Sequence, residues 1–244
     1  MTTTLDYAQL AGAAYLSNRN DINRFPIPTG WSERIGDRRE DPQTGFEARA
    51  FQSGSEIVIS YAGTDFSTPN PFAPDMLANL ALGTGAWSPQ LLQAAEHYLQ
   101  VKAANPSAPV ILTGHSLGGG LAALVGVFFG VPTMTFDQAP FAQTALFQSQ
   151  AIKAYLVGKL DDQGNRLYSD ILLAPLTSYI AQKEAFGAPA TLIPNANLMA
   201  NIAVQGEFLS ALPKHIAATV ESIANMGSLG SQGDMHSHAL LKWQ

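Results

Sequence analysis

Apolar residues recur along this chain at two spacings, three-to-four and two. Between Leu5 and Leu16 the small residues Ala8, Ala11 and Ala14, with Tyr15, predict a helix able to pack closely against a neighbour. Residues 20–45 are polar and punctuated by Pro and Gly, which predicts loop with at most short strands. Phe46 to Phe51 and Ile57 to Tyr61 are β-rich runs joined by Ser53-Gly54-Ser55, the turn chemistry of a hairpin. Ser88-Pro89 then opens a helix with Leu91, Leu92, Ala95, Tyr98 and Leu99 on one face, ending before Asn105-Pro106. The strand-like run Pro109 to Thr113, a helix to about Phe129 and a short strand from Thr133 to Phe136 follow. Such alternation predicts a largely parallel sheet with helices on its faces, an α/β fold.

Residues 139–227 are mostly helical in pattern, with Tyr155-Leu156-Val157 read as a further strand and breaks expected at Pro175, Pro194 and Pro213. This segment forms either a helical cap over a site or ordinary sheet-flanking helices. Phe66 to Pro74 is irregular, with three prolines beside Phe66 and Phe72. No internal repeat or low-complexity segment interrupts the chain.

Composition narrows the class. With 244 residues, 46% hydrophobic and 13% charged, the chain is expected to form one domain over 1–244 with a large core. A net charge of −6, with no basic cluster beyond Arg38-Arg39, argues against nucleic-acid binding. The absence of cysteine excludes disulfides, thiolate catalysis and cysteine-ligated zinc. No uncharged window approaches the length of a membrane span. Asp6 interrupts the short apolar stretch that a signal peptide needs, so export would use a signal elsewhere or one already removed, and compartment stays open.

The chemistry concentrates at Gly114-His115-Ser116-Leu117-Gly118, between an apolar strand and an apolar helix. A serine hydroxyl attacks a carbonyl only when a base can take its proton, so it has to stand on a sharp turn. Glycines two residues to either side permit that turn, and the following helix presents free N–H groups to a developing oxyanion. The Leu117 N–H is one expected oxyanion donor. Thr64, after Gly63 at the end of an earlier strand, is the other, through its N–H and hydroxyl.

Five histidines compete for the base. His97 reads as a mid-helix surface residue, His115 lies inside the turn and points away from Ser116, and His215 begins a helical run without special surroundings. In α/β-hydrolases the order is serine, acid, histidine, which leaves His236 and His238 in a late glycine-rich loop. His236 is preferred because it lies nearer the Gly227–Gly233 stretch, with His238 as the alternative base. For the acid, Asp137 closes the strand ending at Phe136 and so stands at the sheet's C-terminal edge, where ligand sites form. Asp161 and Asp162, in a turn-like Asp-Asp-Gln-Gly-Asn setting after the expected strand at 155–157, are the alternatives. Asp170 reads as a helix feature, and Asp234 is too close in sequence to His236 to orient its ring.

With these residues in place, the chain resembles the class 3, fungal-type lipase family in its bacterial branch. The resemblance rests on Tyr61-Ala62-Gly63-Thr64, Asp75-Met76-Leu77-Ala78-Asn79-Leu80, Leu112 to Gly119 and the terminal His236, in the family's order. It implies an α/β-hydrolase fold, hydrolysis of carboxylic esters of lipids, Ser116 as nucleophile, and Thr64 with Leu117 as oxyanion donors. It also places residues 66–80 where the family carries a lid displaced at a lipid surface. Two departures stand out: Ala62 replaces the family's usual arginine, and Phe136-Asp137-Gln138-Ala139-Pro140 resembles the acid position of pancreatic-type lipases. Family members more commonly carry the acid near the place of Asp161 and Asp162.

The expectation is thus a single α/β-hydrolase domain, a serine hydrolase acting on lipid or small carboxylic esters through an acyl-serine, with transient contact to lipid surfaces. It requires no metal and no cofactor. The alternatives are a phospholipase or acyltransferase using the same triad, or a non-catalytic lipid-binding domain. The end at Gln244, close after the histidine segment, suits the catalytic part of a larger protein.

Overall fold

A computed structural model describes residues 2–15, 24–63, 88–186, 192–205, 209 and 215–223. Helix α1 (Thr4–Ala13) is capped by Thr3, whose side chain accepts from the Asp6 N–H while the Asp6 carboxylate accepts from the Thr3 N–H. Strands β1 (Ser32–Glu33), β2 (Arg39–Asp41), β3 (Phe46–Ser53) and β4 (Glu56–Tyr61) follow, then α2 (Pro89–Ala104), β5 (Val110–His115), α3 (Leu117–Phe129) and β6 (Thr133–Phe136). The chain continues through α4 (Ala142–Phe147), α5 (Ser149–Val157), α6 (Asp170–Ala185), β7 (Met199–Val204) and β8 (Thr219–Ile223).

The described strands form one sheet in the order β1-β3-β4-β5-β6-β7-β8, with β2 also paired to β3. Pairings of β1, β2 and β4 with β3 are antiparallel. From β4 to β8 every pairing is parallel. Alternation within β4 shows how two faces are filled: Ile57, Ile59 and Tyr61 join the core beneath α2 and α3, while Val58 faces α1 beside Leu10 and Phe51. On the α1 face, Ala8 and Ala11 pack on Phe136, Ile202 and Val204, so the small side chains of this helix let it lie close to the sheet. Helices on both faces of a mostly parallel sheet, with a strand-to-helix turn at Ser116, constitute an α/β-hydrolase fold.

Hairpin β3–β4, helix α2, helix α3 and strand β6 stand where periodicity placed them. The later half differs. Residues 155–157 end helix α5 rather than forming a strand, because Ile152 and Leu156 follow helical spacing into the core. Pro175 does not break α6: it is the sixth residue of a sixteen-residue helix whose N-cap Ser169 accepts from the Leu172 N–H. Two strands, β7 and β8, extend the sheet from a region read as helical.

His97 also departs from the surface position expected of it. It is 1% exposed, its Nε2–H donates to the Asp37 carbonyl at 2.6 Å, and its ring meets Tyr61 edge-on. Burial pushes its pKa down to about 4, partly offset by that hydrogen bond. The folded state therefore holds His97 neutral where the unfolded chain takes a proton, and stability falls as pH drops from about 6.5 toward 4. The contribution is about 3 kcal/mol. Denaturant unfolding at a series of pH values is expected to show this loss, and His97→Gln is expected to flatten it; an unchanged acid limb in that variant would exclude His97 as the source.

Candidate active site

Strand β5 ends at His115, and Ser116 then adopts φ 58° and ψ −126° before α3 begins. A positive φ in a residue with a Cβ costs about 1–3 kcal/mol and persists only where the surroundings impose it. Here they do. The Ser116 N–H donates to the Phe136 carbonyl at 3.0 Å, and the Ser116 carbonyl accepts from the Gly120 N–H at 3.1 Å and the Ala139 N–H at 3.0 Å.

The flanking glycines are required by space. A Cβ on Gly114 would stand 2.5 Å from the Gly118 carbonyl, and one on Gly118 would fall onto the Tyr61 carbonyl. The start of α3 thus lies against the end of β4. Leu117 occupies the first turn of α3, where N–H groups have no intrahelical acceptor. Ser116 is 1% exposed, so the turn lies under cover rather than at an open surface.

Residue Gly63 closes in from β4. A Cβ there would lie 3.1 Å from the Ser116 Cβ and 2.5 Å from the Tyr15 Oη. Tyr15 Oη is in turn 3.0 Å from His115 Nδ1, which holds the His115 ring on the α1 side. Tyr15 read in the sequence only as a packing residue of the first helix. Its role at the turn left no signal there, because the contact spans 100 residues.

Asp137 follows β6 as Ser116 follows β5. It is fully buried with φ 43°, its N–H donates to the Ile202 carbonyl at 2.8 Å, and its Oδ1 accepts from the Val204 N–H at 2.8 Å. Gln138 extends this support. Its Nε2 donates to Thr135 Oγ1 and to the Ile216 carbonyl, and its Oε1 accepts from the Ile216 N–H. Strand β7 and the segment leading into β8 therefore anchor the Asp137 turn. Because β5 to β8 are parallel, Ser116, Asp137 and the end of β8 share one edge of the sheet.

Asp161 and Asp162 sit elsewhere, in the turn after α5. Asp161 Oδ1 accepts from the N–H groups of Asn165 and Gln163, and these bonds, the Asn165 one first, hold its carboxyl below the usual carboxylate range. The strand that would have carried these two carboxylates to the sheet edge is the end of helix α5. His215 Nε2 donates to the Leu209 carbonyl. Thr64, residues 66–80, His236 and His238 lie outside the described residues. Among the described residues no group of three or more His, Asp or Glu is placed to hold a metal ion, and no helix is long and apolar enough to cross a membrane.

Comparison with known proteins adds a family. The family described as phospholipase-like, Tle-like phospholipase domain, matches residues 6–166. The extracellular phospholipase A1 of Serratia liquefaciens is 31% identical over 161 residues, which is 65% of this chain and 48% of that protein. The chain thus spans about half of that relative's length. Among solved structures, the lipase of Rhizopus microsporus var. chinensis aligns at 15% identity and a TM-score of 0.45, covering 85% of this chain and 67% of that one. The Lip2 lipase of Yarrowia lipolytica aligns at 15% identity and a TM-score of 0.41, covering 84% and 71%.

Since a side chain at 118 has nowhere to go but into the Tyr61 carbonyl, Gly118→Ala is expected to destabilise the protein by about 3 kcal/mol, measured by chemical denaturation. A variant of wild-type stability would show that α3 can draw back from β4.

Proposed function

Because the chain belongs to the Tle-like phospholipase domain family, we propose that it hydrolyses carboxylic esters of lipids through an acyl-serine at Ser116. The observation that carries this reading is the backbone of Ser116, held at φ 58° between β5 and α3 by three hydrogen bonds. A turn that merely joined strand to helix would place no such demand on a serine.

In the proposed reaction His236 takes the Ser116 proton as the hydroxyl oxygen attacks the acyl carbonyl. The N–H groups of Leu117 and Thr64, with the Thr64 hydroxyl, hold the resulting oxyanion. Collapse expels the alcohol with the proton from the imidazole, leaving the acyl group on Ser116. Water then attacks that ester, giving its proton to His236, and the carboxylic acid and free serine are released. Asp137 orients the imidazole and stabilises its cation.

Two observations support the choice of partners for Ser116. Asp137 is buried at the same sheet edge, one strand away. The chain leaves β8 at that edge too, on its way to the segment that carries His236 and, as the alternative base, His238. Asp161 and Asp162 remain the alternative acids, with less support because their turn follows a helix. The name of the Serratia relative makes a phospholipid acyl ester the first substrate to assay, beside neutral glycerides. Residues 66–80 are proposed as the lid.

Ser116→Ala is expected to abolish turnover of p-nitrophenyl esters and labelling by a fluorophosphonate. Substantial activity in that variant would overturn the mechanism. Asp137 serves Val204 as well as the proposed imidazole, so its two duties separate by substitution. Asp137→Asn keeps an acceptor for the Val204 N–H and is expected to lose about 10³-fold or more in kcat with little change in Tm. Asp137→Ala orphans that buried N–H and is expected to cost about 1–3 kcal/mol of stability besides. Full activity in Asp137→Asn would pass the role to Asp161 or Asp162.

A further inference from the structure

Tyr15 stands just past the end of α1, its N–H donating to the Gly12 carbonyl at 3.3 Å. The helix that carries it is seated on the sheet through Ala8 and Ala11, and the Tyr15 ring packs with Ala14 and Ala62. Those contacts account for a large apolar ring at position 15. They do not call for its hydroxyl, since phenylalanine would fill the same space. A hydroxyl buried to this degree is costly unless a partner meets it.

That hydroxyl lies between two segments that the proposed reaction needs held together. One is the nucleophile turn, because Tyr15 Oη shares a hydrogen bond of 3.0 Å with Nδ1 of buried His115, the residue before Ser116. The other is the end of β4, where Ala62 and Gly63 precede Thr64, the second proposed oxyanion donor. The ladder joining β4 to β5 ends at the pair of Tyr61 with Gly114, so it does not itself tie Gly63 to Ser116. Beyond that pair the side chain of Tyr15 bridges them. A Cβ at 63 would meet Tyr15 Oη at 2.5 Å, the His115 carbonyl at 2.8 Å and the Ser116 Cβ at 3.1 Å, which leaves the Gly63 backbone held between the tyrosine and the turn.

From this arrangement we propose that Tyr15 is a positioning residue: through His115 on one side and Gly63 on the other, its hydroxyl sets the distance between Ser116 and the strand end that leads to Thr64. Resting on the ester hydrolysis proposed above, this role acts on the tetrahedral intermediate more than on the bound ester. The serine oxygen and the oxyanion donors need their mutual geometry once the tetrahedral centre forms, and binding of the intact ester does not depend on it.

Tyr15→Phe keeps the ring and removes the hydroxyl. It is expected to lower kcat on a p-nitrophenyl ester about tenfold or more and to leave KM within about twofold. Inhibition by an alkylboronic acid, which forms a tetrahedral adduct on a reactive serine, is expected to weaken by about the same factor as kcat. His115→Leu removes the other half of the bond and is expected to give the same loss, with the double variant no slower than either single one. His115→Asn, whose amide puts a polar atom near the place of Nδ1, is expected to recover most of that loss. An unchanged kcat in Tyr15→Phe would overturn the positioning role, as would losses that multiply in the double variant or a lower kcat with boronate affinity intact. Equal losses in His115→Asn and His115→Leu would make the contact mere packing and end the proposal. Should Tyr15→Phe fail to fold, the two His115 variants carry the same comparison. A folded wild-type protein that cleaves no ester would sink the hydrolase reading and the positioning role with it, whereas an active wild type equalled by Tyr15→Phe would sink the positioning role alone.

Discussion

The approach of α3 to the end of β4 is the constraint from which the site follows. With hydrogen on Gly118 in place of a side chain, the first turn of the helix rests on the Tyr61 carbonyl, and Gly114 lies under Gly118. That contact leaves Ser116 no room for an ordinary backbone conformation and drives it to positive φ. The hydrogen bonds to Phe136, Gly120 and Ala139 then prevent relaxation. A catalytic serine needs this kind of fixed presentation, because a misplacement of about 1 Å can cost about a hundredfold in rate.

The turn of the proposed acid, Asp137, is built on the same plan from different materials. Asp137 also turns the chain at positive φ after a parallel strand, without glycine, and its strain is answered by Ile202 and Val204 of the next strand. Gln138 carries the connection to Ile216, just before β8. The sheet thus acts as a ruler. Its parallel register puts the ends of β5, β6, β7 and β8 side by side, so residues distant in sequence are delivered to one edge.

Much of this was legible before any coordinates. The hairpin, helices α2 and α3 and the short strand β6 announce themselves through period, caps and turn residues, and the glycines around Ser116 declare the turn. What the sequence concealed is long-range. Tyr155-Leu156-Val157 is β-prone locally but belongs to a helix, since Ile152 and Leu156 find their partners in the core only at helical spacing. Strands β7 and β8 lack strong alternation and owe their form to the edge that β6 offers. The burial of His97 and the pairing of Tyr15 with His115 both depend on tertiary placement, for which local pattern carries no information.

The docking of α1 has a bearing on how the chain is made. This helix lies near the start of the sequence, yet the surface it covers is composed of Phe51 and Val58 and of Phe136, Ile202 and Val204. During synthesis it emerges well before Phe136, Ile202 and Val204, so Ala8 and Ala11 wait for their partners after Phe51 and Val58 have appeared. Its seat is complete only once Ile202 and Val204 have left the ribosome. Until then the nascent chain carries an apolar helix with an incomplete seat, a period in which binding by a holding chaperone would protect it from self-association.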